Sequence, residues 1–149
     1  MATVEMEKSV QTLEFAKEEI IAAPIEVVFE TLLEQIGPEN EGPPGQPMPL
    51  KLEAWPGGRW YRDLGKGAGH FWGHVQVIKP PTLLEICGPM FMSYPATSHI
   101  QYRLKGNGAT TQLSFMHRAI GLIPAEHKEG VKQGWASILG RIKQASEKR

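Results

Sequence analysis

A single cysteine, Cys87, excludes an internal disulfide and any zinc site built from several cysteines. It suits a reducing compartment, so a cytoplasmic location is expected. An excess of charge of either sign is also missing. Sixteen Lys and Arg stand against sixteen Asp and Glu, and no basic run is longer than a pair. Nucleic-acid binders carry a basic excess, so no nucleic-acid partner is expected. No apolar run approaches the roughly 20 residues that a membrane-crossing helix needs, which argues against membrane insertion. Residues 1–14 hold several acids and no apolar block, unlike a signal or transit peptide. Gly-x-Ser-x-Gly is absent, and Gly65-Lys66-Gly67-Ala68-Gly69 lacks the spacing and following helix of a phosphate loop, so it reads as a hairpin turn.

What is present reads as one domain over residues 1–149, with residues 1–10 a loose lead-in. Residues Gln11 to Ala22 read as a strand whose phase slips, which predicts a bulge or twist. Ala23-Pro24 opens a short helix, with Ile25, Val28, Phe29, Leu32 and Leu33 on one side and Gly37-Pro38 ending it. Residues 38–49 are rich in Pro and Gly and read as an ordered surface loop. Six runs follow, over 50–55, 59–64, 69–78, 82–87, 97–105 and 109–120, separated by Gly/Pro turns. With the first strand they make about seven, an antiparallel meander. Ile100, Tyr102 and Leu104 alternate with His99, Gln101 and Arg103, and Leu113, Phe115 and His117 with Gln112, Ser114 and Arg118. That is the signature of a sheet covered on one face. The cover is a closing helix from Pro124 to Lys148, with Val131, Trp135, Ile138, Leu139 and Ile142 on one stripe. The chain then frays over residues 146–149. The expected class is α+β: a curved antiparallel sheet gripping a long C-terminal helix, with a short helix after the first strand.

No residue pattern names a reaction. His70 and His74 share a strand face but stand roughly 13 Å apart, too far for one metal, so no metal site is expected. No cofactor is expected either. His117 is the one catalytic candidate: among apolar neighbours it either moves a proton and orients a ligand oxygen, or is a satisfied core histidine. Trp60, one of Phe71 and Trp72, Tyr102, Phe115 and Trp135 converge from different strands and the closing helix. They make either a filled core or an apolar cavity. In the cavity reading the ligand-binding residues are Trp60, Arg62, Trp72, Ile86, Tyr102, Phe115, His117 and Trp135. Residues 88–95, with Met and aromatics between prolines, suit an adaptable apolar lip, a plug or a dimer contact.

Four segments in order resemble one family: Ile21-Ala22-Ala23-Pro24-Ile25-Glu26-Val27-Val28-Phe29, Gly57-Gly58-Arg59-Trp60, Gly73-His74-Val75 through Pro80-Pro81-Thr82-Leu83-Leu84, and Gly134-Trp135-Ala136-Ser137-Ile138-Leu139. Together they look like the START/SRPBCC superfamily, in the branch homologous to Aha-type activators of the heat-shock chaperone ATPase. The resemblance implies the helix-grip fold over nearly the whole chain. Many members carry a second short helix where Pro43, Pro44, Pro47 and Pro49 stand here, so the mouth of a cavity is expected to be built differently. The superfamily includes carriers of hydrophobic ligands, polyketide cyclases and chaperone cofactors. The first expectation is a small hydrophobic ligand held between sheet and helix. A cyclase- or dehydratase-type enzyme on the same cavity and a chaperone-cofactor module are the alternatives, and a homodimer stays open.

Overall fold

The computed structural model describes residues 8–149, so most of the lead-in expected over residues 1–10 lies outside the described residues. The elements are β1 (Gln11–Ile21), α1 (Ile25–Gln35), β2 (Lys51–Leu52), β3 (Arg59–Gly65), β4 (Ala68–Lys79), β5 (Leu83–Gly88), β6 (Ala96–Asn107), β7 (Thr110–Gly121) and α2 (Ala125–Glu147). The strands form one antiparallel sheet in the order β1-β7-β6-β5-β4-β3-β2. This is the α+β helix grip that the sequence pattern predicts. The inward faces of β6 and β7 bury Ile100, Tyr102, Leu104, Leu113, Phe115 and His117. Val131, Trp135, Leu139 and Ile142 of α2 are buried against the same core, and Ile138 packs at its margin. Both helices open on a proline N-cap and place an acid in the first turn, Glu26 and Glu126, where the helix dipole favours it.

Four local expectations are corrected. No bulge breaks β1: its register with β7 is continuous from Gln11↔Gly121 to Ile21↔Thr111. The apparent phase slip arises because Ile20 faces solvent at 60% exposure while Ile21 is buried. The bulges lie instead in β3–β4 and β4–β5. The first of them separates the two histidines by face. Trp60 pairs with Gly73 and Tyr61 with Phe71, so Trp72 is the extra residue. His70 then packs on the buried Trp72 ring, whereas His74 packs on the exposed Phe71. The strand expected over residues 50–55 is reduced to Lys51–Leu52, because the chain beyond it turns at residues 55–58.

The end of α2 does not fray. Ser146 is buried, and the Glu147 carboxylate accepts the Ala22 N–H at 2.8 Å, which holds its pKa below the usual carboxylate range. Lys143 donates to the Ile20 carbonyl at 2.6 Å, and Arg149 donates to Thr31 and Glu34 of α1. These contacts clamp the helix to the end of β1 and to α1.

The turn before β3 shows why glycine is needed there. The Glu53 carboxylate accepts from the Arg59 backbone N–H, Nε and Nη2, each at 2.8 Å. That draws the chain so close that a β-carbon on Gly58 would overlap the Glu53 carbonyl oxygen. A backbone atom cannot swing aside as a side-chain tip can. Gly58→Ala is therefore expected to destabilise the fold by about 1–3 kcal/mol, the range for overpacking. Urea unfolding checks this, and an unchanged midpoint would show that the turn relaxes freely.

Candidate ligand-binding site

The space beneath α2 is filled at its centre. Trp135 is buried and points at the sheet, with ring centroids 4.8 Å from Phe115, 5.3 Å from His117 and 5.9 Å from Phe91. Its indole N–H donates to His117 Nδ1 at 2.8 Å. Nδ1 must then be bare, so the neutral ring carries its proton on Nε2 and donates it to Ser98 Oγ at 2.9 Å. Burial pushes the His117 pKa down to about 4. Both ring nitrogens are thus committed within the core.

The other predicted site residues divide. Trp60 is fully buried, and its indole N–H donates to the Ile36 carbonyl at 2.7 Å, tying β3 to the end of α1. Ile86 and Phe115 are buried core. Tyr102 is fully buried, with no partner for its hydroxyl among the described residues. Burial pushes its pKa up, and the charge of Arg141 opposes this. Trp60, Ile86, Tyr102, Phe115, His117 and Trp135 therefore form core and do not line an open cavity. Of the tryptophan and its neighbour on β4, Trp72 faces inward and Phe71 outward.

Arg62 and Trp72 do line a cavity. It measures about 490 Å³ and lies off-centre, between loop 38–49, the β3–β4 hairpin, Phe91 and the outer side of α2. Trp72 is its floor, in edge contact with Trp60 at 5.0 Å and with Phe91 at 5.6 Å. Met48 closes it from the loop, and Ile138, Ser137 and Arg141 from the helix. The loop is held in place by the Asn40 side-chain amide donating to the Met48 carbonyl at 3.0 Å and by a bridge between Glu41 and Pro47. The prolines that exclude a second helix there thus leave an ordered wall.

Gly130 and Gly134 belong to the helical wall. A β-carbon on either would meet nothing within 4 Å, so these glycines leave room beside the helix and relieve no clash. Phe91 and Gly130 also border a second hollow of about 410 Å³, on the side of Tyr94 and His127. Of the expected lip, Met90 and Met92 pack into the core, and Phe91 separates the two hollows. The sequence reading did not single out Phe91 alone, Ile138 as a wall, or Arg141. The available signal was Gly130 and Gly134, four apart on one helical face and without a capping role.

Among the described residues no group of three or more His, Cys, Asp or Glu could hold a metal ion. No helix among them is long and apolar enough to cross a membrane.

Solved structures share this architecture. A protein from Rhizobium leguminosarum superposes with a TM-score of 0.71 at 19% identity, over 95% of this chain and 98% of its own. Protein CV1439 from Chromobacterium violaceum gives 0.68 at 17% identity, over 90% and 96%. CalU16 from Micromonospora echinospora gives 0.60 at 18% identity, over 93% and 87%. At such identities the likeness is one of fold. No curated protein matches the chain in sequence. The family model described as "Activator of Hsp90 ATPase homolog 1-like protein" matches residues 22–147, from the end of β1 to the end of α2. The chain therefore belongs to the Activator of Hsp90 ATPase homolog 1-like family, within the helix-grip SRPBCC superfamily.

Proposed function

We propose that this protein binds a small hydrophobic molecule in the cavity between the β3–β4 hairpin, loop 38–49 and α2, in the cytoplasm. The observation behind this reading is the cavity itself. About 490 Å³ lies open against Trp72, Phe91, Met48 and Ile138, at the edge of the buried core. Its size falls in the range of small-molecule sites, and apolar walls with few polar groups are their usual make-up. Two glycines keep the helical wall thin despite the roughly 1 kcal/mol per residue that glycine costs in a helix.

The test is uptake of the neutral fluorophore N-phenyl-1-naphthylamine by the purified protein and by Gly134→Leu. The wild type should enhance its emission saturably. Gly134→Leu should abolish uptake while stability stays equal or rises by up to about 1 kcal/mol, since leucine is the better helix former and has open space to enter. Probe uptake unaffected by the leucine would place binding elsewhere; no uptake by either would remove the reading.

An enzyme on this cavity would need a titratable side chain facing it, and the lining offers His70 and Glu41 where the sequence had suggested His117. A chaperone-cofactor role is the second reading, favoured by the description of the family. It predicts binding to a purified heat-shock chaperone that Gly134→Leu leaves intact.

A further inference from the structure

The cavity's polar groups are unequal in kind. Arg62 reaches it from β3, and its guanidinium has no ion pair or hydrogen bond among the described residues. Arg141 reaches it from α2. Its Nη1 donates to Ser137 Oγ at 3.2 Å and its Nη2 to the Glu41 carbonyl at a long 3.5 Å, while its Nε is buried without a partner among the described residues. Trp72, the floor, has a buried indole N–H that also lacks a partner among the described residues. Neither arginine has a carboxylate partner among the described residues. Among the described residues the one carboxylate on the rim, Glu41, already accepts the Gly45 N–H at 2.9 Å. Unmatched buried donors are costly, and a guanidinium donates only. The lining thus presents two cationic forks and an N–H to a space with too few acceptors.

Resting on the cavity reading above, we infer that the occupant is an amphipathic carboxylic acid. Its apolar body lies against Trp72, Phe91, Met48 and Ile138, and its carboxylate lies between Arg62 and Arg141. Arginine is suited to this because its planar fork matches a carboxylate, and a half-buried setting strengthens the pair. The acid could carry an aliphatic chain or an aromatic ring system, since the walls offer both kinds of surface.

Calorimetric titration with matched pairs separates the terms. Decanoate is compared with decanol, and naphthoate with naphthalenemethanol, near neutral pH and at low salt. Within at least one pair the acid should bind about 10- to 100-fold tighter than its alcohol, the range for a charge-assisted hydrogen bond. The tighter pair identifies the body as chain or ring. Arg62→Gln, at a side chain without partners among the described residues, should remove most of that preference and leave the alcohol's affinity within about twofold. Arg141→Gln should do the same, with thermal unfolding as the check that loop 38–49 stays docked. Acid and alcohol binding equally, or an acid preference that survives both substitutions, would overturn the inference and leave the cavity reading intact. Failure of all four compounds, together with failure of the neutral fluorophore, would remove the cavity reading and this inference with it.

Discussion

Trp135→Ala is expected to remove about 3–5 kcal/mol of stability, the usual cost of truncating a buried tryptophan to alanine. A domain of this size is stable by only about 5–15 kcal/mol, so the loss is a large fraction of the total. Two physical losses combine. The first is packing: the ring touches Phe115, Phe91 and His117, and through Phe115 it is linked to Tyr102 at 4.8 Å. The second is polar: without the indole N–H, His117 Nδ1 is left as a buried acceptor without a donor. Trp135→Phe separates the two. It keeps most of the ring contact and loses the N–H, so it should cost less than the alanine variant yet more than a simple size change. Chemical denaturation of all three proteins reads both. A Trp135→Ala loss below about 1 kcal/mol would mean that the helix is held by its terminal clamps and not by this ring. Because Trp135 does not line the cavity, Trp135→Phe should retain uptake of the neutral fluorophore.

The fold was legible because burial repeats with a period. Alternation in β6 and β7 and the three-four spacing in α2 are direct images of which side faces the core, and the Gly/Pro turns mark where each run ends. β1 was harder, since Ile20 is apolar and faces solvent, so composition and phase disagree there. The separation of His70 from His74 was hidden because a bulge is a pairing between strands and leaves no local pattern. The site was legible in its chemistry and less so in its position. Arg62 and Trp72 stand among the expected ligand-binding residues, but phase does not choose between Phe71 and Trp72 across the bulge, and whether converging aromatics fill a space or enclose one depends on their rotamers. Here Trp135, Phe115 and Tyr102 interlock and displace the opening toward loop 38–49. Arg141 is not legible as a site residue because it lies beside the apolar stripe of α2 on what reads as the polar face. It reaches the cavity only because loop 38–49 folds over that face.

Stability should also fall by up to about 3 kcal/mol as pH drops from roughly 6.5 to 4, through His117 alone. Its folded pKa of about 4 lies below its ordinary value of 6.5 because burial penalises the imidazolium. The native state therefore binds fewer protons than the unfolded chain throughout that window. The stabilisation is fully present above about 6.5 and is lost as pH falls toward 4. Among the described residues no charge offsets the penalty: the ring's hydrogen-bond partners Ser98 and Trp135 and its cross-strand partners Phe15 and Ile100 are all uncharged. The carboxylates held low by partners, with Glu53 at about 2 and Asp63 and Glu147 also depressed, act in a separate, lower window. They are ionised in both states above their ordinary range, and their contribution disappears only as pH falls below it. His117→Gln isolates the term. The variant is weaker at neutral pH because it disturbs the bond from Trp135, but the other four histidines and all carboxylates remain, so they cancel in the difference. The gap between wild type and variant, measured by urea unfolding at several pH values, should narrow steadily from pH 6.5 to 4. A gap that stays constant would mean that the imidazolium is accommodated in the core. The neutral Nε2–H tautomer, and with it the hydrogen-bond chain from Trp135 through His117 to Ser98, would then have to be abandoned.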